Sequence, residues 1–256
     1  MNHQYKIALT FDVEEFDLPL EYGQSITPAD QMLIGNNGLT AVTALLLQHQ
    51  IECTLFTTAN FATHFPNEIK ALAQVHEIAS HSFYHSSFEI ADLLKSKQAL
   101  EQITGKPITG LRMPRMLAVD MKDVLHAGYQ YDSSINPTYI PGRYNNLKLP
   151  RKMYMQENLL RMPVSVTPNL RFPLFWLSFK NLPYAVFKQM AIQTLKKDGY
   201  LSLYFHPWEF TDISHIKIPF YTKRHSGTVL LNRLNQLIID LKKEGSFCSI
   251  QHLLEF

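Results

Sequence analysis

The sequence has few of the features that stabilise secreted proteins or anchor membrane proteins. Only two cysteines, Cys53 and Cys248, occur in 256 residues, which is too few for a disulfide framework. Both lie in apolar runs typical of buried thiols, and a single bridge between them is the alternative. No apolar run reaches the ~18 residues of a membrane-spanning helix, and the start, MNHQYKIALTF, lacks a signal peptide's apolar core. These absences predict a cytoplasmic protein without a transmembrane segment.

The sequence also lacks an excess of charge of either sign. Lysine and arginine total 24 against 22 aspartates and glutamates, which gives a net charge of +2. A surface that binds a polyanion is normally far more basic than this. Nucleic acid is therefore not expected as a partner.

Apolar runs rich in β-forming residues alternate with segments of helical period. Strands are predicted near 5–13, 52–58, 76–80, 108–112, 129–133, 159–166 and 200–206, with a short final strand near 246–250. Helices are predicted at 38–49, 66–75, 89–104, 119–127, 183–197 and 228–243. This alternation predicts an α/β fold with a parallel sheet, closed or nearly closed into a barrel, and an open doubly wound sheet is the alternative. No linker-like change in composition interrupts the chain, so one domain is predicted over 1–256.

Acidic residues crowd the end of the first predicted strand, in ALTFDVEEFD at 8–17. Apolar residues alternate with polar ones here, so Asp12 and Glu14 are expected to face the same way. Side chains two apart on a strand lie roughly 7 Å from each other, and two such carboxylates resist burial unless a positive group or water lies beside them. The alternative is that the strand ends at Val13 and the acids are solvated.

Other ionisable residues occur at the ends of later predicted strands. The segments are SHSFYH with His81 and His85, LRMPR with Arg112, YQYDSS with Asp132, and LYFHPWEF with His206 and Trp208. The carboxyl ends of parallel barrel strands form one face, and active sites are built there. We therefore expect these residues to meet in one pocket.

Two histidines and a carboxylate are a common ligand set for a catalytic divalent metal. Glu14, His81 and His85 fit this description, and Asp12 beside them would be free to act as a base. The alternative is that the two histidines are bonded only to the backbone. Zinc is the first expectation for such a site, with cobalt, nickel or manganese possible.

The remaining residues are predicted to support the reaction. His206 is expected to be a general acid, and Asp132 to orient it through the other ring nitrogen. Arg112 is expected to pair with Asp12 and keep it ionised. Trp208 is expected to line a substrate groove. The alternatives are that His206 is a core histidine, that Arg112 is an ordinary surface arginine and that Trp208 packs beneath the barrel rim.

The aromatic segment RFPLFWLSFKNLPY, 171–184, contains two prolines and connects a predicted strand to a predicted helix. It is interpreted first as a plug that packs against one end of the barrel. Otherwise it is an exposed apolar patch that mediates homo-oligomer or peripheral membrane contact, or binds substrate.

These motifs together resemble the polysaccharide deacetylases of carbohydrate esterase family 4, the NodB-homology family. The matching segments, in the family's order across 10–209, are TFDVEE, HSFYH, RMP, YDSS and FHPWE. Their spacing and the RMPVS segment at 161–165 are most similar to a bacterial subgroup found among exopolysaccharide and capsule genes.

The resemblance implies a distorted (β/α)7 barrel that hydrolyses an N-acetyl group from an amino sugar in a polysaccharide, oligosaccharide or glycan precursor. Carried over by position, it implies Asp12 as base, Glu14, His81 and His85 as metal ligands, Arg112 as support for the base and His206 as acid. Glu14 is displaced by one position from the family's usual aspartate, and Arg115 stands where an aromatic often follows the proline. Alternatives are an amidohydrolase for a small cyclic amide or ureide, and a catalytically silent glycan-binding barrel.

Overall fold

A computed structural model describes residues 5–254 of the chain. Its strands are β1 (Lys6–Val13), β2 (Thr54–Thr57), β3 (Glu77–Ser80), β4 (Gly110–Leu111), β5 (Tyr131–Asp132), β6 (Tyr139–Ile140), β7 (Tyr144–Asn145), β8 (Tyr154–Gln156), β9 (Leu159–Arg161), β10 (Tyr200–Phe205) and β11 (Ser246–Cys248). Its helices are α1 (Leu18–Glu21), α2 (Pro28–His49), α3 (Ala59–His64), α4 (Pro66–Leu72), α5 (Ala91–Thr104), α6 (Met121–His126), α7 (Trp176–Asn181), α8 (Tyr184–Asp198), α9 (Phe220–Lys223), α10 (Thr228–Leu241) and α11 (Ile250–Leu254).

The main sheet is built around β1, whose side chains are buried on both faces from Ile7 to Val13. The strand order is β10-β1-β2-β3-β4-β5-β9-β8, and β11 pairs with the first residues of β1. Every pair from β10 to β9 is parallel, and only β8 runs antiparallel to β9. Strands buried on both faces are typical of parallel sheets covered by helices.

The sheet curls, so that the segment after β9 contacts β10, the strand at the other edge of the parallel sheet. The backbone N–H of Ser165 donates to the carbonyl of Ser202 in β10 at 2.9 Å, and the N–H of Ser202 donates to the Ser165 hydroxyl at 2.9 Å. The predicted strand at 159–166 ends earlier, at Arg161, because Pro163 has no N–H for a strand ladder. The expected distorted (β/α)7 barrel is confirmed, and the open doubly wound alternative is wrong.

The structure corrects several predicted elements. Five short helices, α1, α3, α7, α9 and α11, were not predicted, and 134–158 contains the β6–β7 hairpin and β8. Cys53 and Cys248 are both buried free thiols, so the alternative of a bridge is wrong. Among residues 5–254, every helix is too short or too polar to cross a bilayer. Residues 1–4 and 255–256 of the predicted domain over 1–256 lie outside the described residues, and the single domain stays a prediction.

Helix α2 begins at Pro28 and not at 38, where the prediction placed its start. Thr27 caps it by accepting the N–H of Asp30 at 3.1 Å, and proline at the first helical position is compatible with a helix start. Gly38 lies inside the helix and lets it approach another backbone. A Cβ at Gly38 would lie 1.9 Å from the carbonyl oxygen of Pro207, next to His206.

The aromatic segment 171–184 contains α7 and packs mainly inward. Phe179 is fully buried, with its ring 5.0 Å from that of Phe187 and 5.1 Å from that of Phe205. Phe179 therefore cannot be part of a peripheral contact, which corrects that expectation for this residue. Phe172, at the start of the segment, is 38% exposed.

Gly38→Ala tests whether close approach of α2 organises the fold. Alanine favours a helix over glycine by about 1 kcal/mol, but the clash with Pro207 should reverse the sign and destabilise the protein by about 1–3 kcal/mol. Urea unfolding measures this difference. The control is Asn37→Ala on the exposed side of the same helix, with an expected change within ~0.5 kcal/mol. A Gly38→Ala protein more stable than the original would contradict the packing argument.

Candidate metal centre and active site

The carboxyl ends of the parallel strands surround a cavity of about 300 Å³. The predicted site residues that line it are Asp12, Glu14, His81, His85, His206 and Trp208. Arg112 and Asp132 lie behind its wall and are buried. The structure thus brings residues from β1, β3 and β10 and from their following loops to one place, as expected for a barrel.

The centre of the site is the carboxylate of Glu14, which faces two imidazoles. Its Oε2 lies 3.0 Å from Nε2 of His81 and 3.1 Å from Nε2 of His85. One ligand atom from each residue falls within 4.8 Å of the others. The indole N–H of Trp208 donates to the other oxygen, Oε1, at 3.0 Å. Trp208 therefore fixes the carboxylate so that Oε2 points at the histidines.

The second nitrogen of each imidazole has an acceptor. Nδ1 of His81 lies 2.8 Å from the carbonyl oxygen of Arg112, and Nδ1 of His85 lies 2.7 Å from Oδ1 of Asp17. A carbonyl or carboxylate only accepts, so each Nδ1 carries the hydrogen and a neutral ring presents the Nε2 lone pair to Glu14. Such outer partners are the usual way in which metal-binding histidines are oriented.

Three electron-rich atoms that converge in this way require positive charge between them. Burial lowers the pKa of His85, but the Glu14 and Asp17 carboxylates outweigh burial and raise it to about 9. Burial raises the pKa of Glu14, but the charges of His85, His206 and His81 outweigh burial and hold it well below its usual range. Protons on the imidazoles thus meet the same demand that a divalent cation would meet. The two imidazoles and one carboxylate fit such an ion.

A tight turn brings the two histidines together. β3 ends at Ser80, and the next residue but one, Ser82, has φ +64. The turn stacks the rings of His81 and His85, with centroids 5.8 Å apart and an interplanar angle of 19°. The histidines follow the strand in a loop, so the spacing of four reflects a turn and not a helical face.

Arg112 connects the candidate base to the candidate metal centre. Its guanidinium is fully buried and donates to Oδ1 of Asp12 at 2.7 Å, as expected from the sequence. It also donates to Thr10 and to Ser133, and lies 4.0 Å from the centre of the Phe56 ring. Its carbonyl is the acceptor for His81. One residue therefore orients both Asp12 and His81.

His206 faces Asp12 across the cavity. Its Nε2 lies 3.9 Å from Oδ2 of Asp12, the oxygen that Arg112 leaves free. Its Nδ1 lies 3.1 Å from Oε1 of Glu209, and its ring stacks on Trp208 with centroids 4.9 Å apart. Burial lowers the pKa of His206, but the carboxylates of Glu14, Glu209 and Asp12 outweigh burial and raise it.

Asp132 does not orient His206, so that prediction is wrong. The register of β5 and β9 places Asp132 beside Arg161, and Nε of Arg161 lies 3.0 Å from Oδ2 of Asp132. Asp132 also accepts the N–H of Ser134 at 3.0 Å. The carboxylate at His206 is Glu209, which sequence reasoning missed. The signal was present in HPWE, where an acid three residues after His206 can bond back to its N–H.

Trp208 both lines the cavity and packs beneath its rim, since only 3% of its surface is exposed. Sequence reasoning did not assign it the contact with Glu14. Sequence reasoning also assigned no role to Asp17 or to Arg115, whose Nη2 donates to Oδ2 of Asp17 at 3.1 Å. Arg115, unusual at its motif position, thus supports the carboxylate that orients His85.

Side-chain contacts between separate segments link several residues that line the cavity. Glu21 of α1 lies 2.6 Å from Nε of Arg115 and 3.3 Å from Nη2 of Arg143 in the β6–β7 turn. The hydroxyls of Tyr22 and Tyr221 are 3.4 Å apart. These contacts join α1, α9 and the hairpin around the opening.

Comparison with known proteins gives a family match and several structural similarities. A polysaccharide deacetylase family model matches residues 2–129, and a model described as a domain of unknown function, DUF3473, matches 133–255. A search of curated proteins finds no significant match.

Three solved structures illustrate the similarity of fold. A probable polysaccharide deacetylase from Pseudomonas aeruginosa PAO1 has a TM-score of 0.69 at 14% identity, over 98% of this chain and 90% of that one. Puue allantoinase has a TM-score of 0.63 at 15% identity, over 96% and 86%. A CE4 family pseudoenzyme from Bacillus anthracis has a TM-score of 0.56 at 12% identity, over 98% and 66%.

The sequence motifs, the barrel and the family model agree. The family model spans half of the chain and includes Asp12, Glu14, His81, His85 and Arg112. The chain therefore belongs to the polysaccharide deacetylase family, a family of amide C–N hydrolases that also contains some pseudoenzymes.

Proposed function

We propose that this chain is a metal-dependent deacetylase that removes the N-acetyl group from an amino sugar in a polysaccharide, oligosaccharide or glycan precursor. The observation that carries the proposal is the convergence of Glu14, His81 and His85 beside the facing pair of Asp12 and His206. The family match supports this class of reaction. We also propose a cytoplasmic location and a relation to the subgroup found among exopolysaccharide and capsule genes.

We propose that Glu14, His81 and His85 hold the divalent ion, with zinc as the first choice and cobalt, nickel or manganese as alternatives. When bound, such an ion polarises a carbonyl oxygen and lowers the pKa of water toward about 7. The hydrogen bond from Trp208 and the acceptors at the two Nδ1 atoms keep the three donor atoms in place before the ion arrives.

Asp12 is proposed as the general base. Its Oδ1 is held by Arg112, while Oδ2 faces the cavity and is free to accept the proton of an attacking water. His206 is proposed as the general acid, because its Nε2 faces the cavity and the carboxylates around it favour the protonated ring. It would donate that proton to the departing amine nitrogen, which leaves a free amino sugar and acetate.

The first test concerns the metal. The purified protein is expected to bind one Zn²⁺ per chain and to melt at a higher temperature with Zn²⁺ than after treatment with a chelator. His81→Ala and His85→Ala should lose this stabilisation, since each removes a ligand. The control is His252→Ala, which changes an exposed histidine of α11. Equal stabilisation of all four proteins by Zn²⁺ would contradict the assignment.

The second test concerns the acid and the base. Asp12→Asn and His206→Gln should each lower the rate of acetate release by about 10²–10⁴-fold, since each removes one proton-transfer group. Zinc content measured on the same samples should stay at the level of the unchanged protein, because neither residue is a proposed ligand. Full activity of either variant would refute its assigned role.

The volume of the cavity bears on the size of the substrate. It lies at the lower end of the roughly 300–1,000 Å³ of small-molecule sites, and the contacts of Glu21 and Tyr22 link separate parts of its lining. An internal unit of a glycan carries chain on both sides, whereas a terminal unit enters end-on. We therefore favour an amino sugar at a chain end or on a short precursor. The same small volume keeps a small cyclic amide or ureide as the second candidate.

A set of substrates separates these possibilities. With a fully acetylated linear oligosaccharide of glucosamine labelled at its reducing end, mass spectrometry should find loss of acetyl from a terminal unit only. Deacetylation of internal units would refute the size argument. Hydrolysis of a cyclic ureide without acetate release from any sugar would favour the second candidate, and no turnover with no bound metal would favour a silent barrel.

A further inference from the structure

A buried ion pair lies behind His206, the candidate acid, and has no part in the proton transfers proposed for Asp12 and His206. Nζ of Lys180 lies 2.9 Å from Oε2 of Glu209, and neither side chain has any exposed surface. The other oxygen of Glu209 lies 2.8 Å from the backbone N of His206 and 3.1 Å from its Nδ1. Lys180, Glu209 and His206 thus form a continuous chain of charged contacts that ends at the cavity.

Lys180 comes from α7, within the aromatic segment 171–184. Its Nζ also donates to the carbonyl of Thr222 at 2.7 Å, and it lies 5.3 Å from the ring centre of Trp176 and 5.6 Å from that of Trp208. These two indoles are the same rings that contact His206, with centroids 5.1 Å and 4.9 Å from it. The segment therefore contributes to the wall of the site, and its lysine reaches behind the acid.

A buried ion pair is by itself weak evidence of stabilisation. Taking a carboxylate and an ammonium out of water costs several kcal/mol per ion, and hydrophobic residues of similar volume are often as stable or more so. The position of this pair suggests a reason for it, because Glu209 is the only acceptor found for the Nδ1 hydrogen of His206 among residues 5–254. An acceptor there leaves Nε2 directed at Asp12.

We propose that Glu209 and Lys180 are positioning residues for His206. Glu209 holds the Nδ1 hydrogen and favours the protonated ring, while Lys180 partly neutralises Glu209 and limits that effect. The proposal rests on the proposed function, in which His206 is the acid. It also gives a role to the segment 171–184, whose Lys180 would set the strength of the acid from outside the cavity.

Other charged and titratable groups also face His206, from β1, from the residues after it and from β10. Asp12 of β1 approaches Nε2 at 3.9 Å, Glu14 after β1 acts through its charge, and the ring of Tyr204 in β10 lies 5.9 Å away. All of them remain in the variants below. A change of charge at Glu209 or Lys180 therefore adds to a constant background from β1 and β10.

The test is a pH titration of His206. NMR on protein with ¹³C-labelled histidine monitors the titration, with and without Zn²⁺. The His206 signal is identified by its loss in His206→Gln. Glu209→Gln keeps an acceptor but removes the charge, so the titration midpoint should fall by about one pH unit. Lys180→Met leaves Glu209 uncompensated, so the midpoint should rise. Opposite shifts from the two members of one pair are not expected of a purely structural role.

Two further variants make the result decisive. The double variant Lys180→Met with Glu209→Gln buries no unpaired charge, and its midpoint should lie below that of the unchanged protein, since Lys180 acts through Glu209. This variant replaces either single variant that fails to fold. Lys188→Met, which removes a lysine 3.3 Å from Asp240 on α10, is the control and should leave the midpoint unchanged. Equal midpoints in all folded variants would overturn the proposal.

The acetate-release assay separates this proposal from the proposed function. Glu209→Gln should lower kcat by about tenfold or more with little change in KM, because it alters proton donation and not substrate contact. If the midpoints shift as expected but no acetylated sugar is turned over, the positioning stands and the proposed function fails. If catalysis proceeds and the midpoints do not move, the positioning fails.

Discussion

The site depends on one electrostatic constraint, the approach of the Glu14 carboxylate to two imidazole nitrogens at about 3 Å. These atoms tolerate each other only with positive charge among them, because acceptors at both Nδ1 atoms direct the Nε2 lone pairs inward. Either protons on the rings or a divalent cation meets this need. The surrounding hydrogen bonds, from Trp208 to Glu14 and from His85 to Asp17, hold the donors in this unfavourable but useful arrangement.

The two sides of the site come from different parts of the chain. The first matched region, 2–129, supplies Asp12, the three candidate ligands and Arg112, whose side chain holds Asp12 while its carbonyl holds His81. The second, 133–255, supplies His206, Trp208 and the ion pair behind them. β1 of the first region pairs with β10 of the second over Lys6–Phe11, so the sheet itself brings the two sides together.

Several motif residues act through contacts other than those their motifs suggest. Asp132 is paired with Arg161 because β5 and β9 are neighbours in register, and Glu209 instead takes the place beside His206. Gly38, predicted as the first residue of a helix, lies inside α2 and lets it pack against Pro207. The neighbours of Asp132 and Gly38 come from distant parts of the chain, whereas Glu209 lies only three residues from His206.

The sequence by itself determined the alternation of the main strands and helices, the barrel, the family and most of the side chains that meet at the site. These follow from local periodicity, from turn and strand-end residues, and from the rule that parallel strand ends share one face. Only the tertiary structure decided which carboxylate meets His206, which residues orient the metal ligands, and that Lys180 reaches the site from 171–184. The contacts of the metal ligands and of Lys180 join residues far apart in the chain, and strand register and helix packing set them at a precision of about 1 Å that no local pattern encodes.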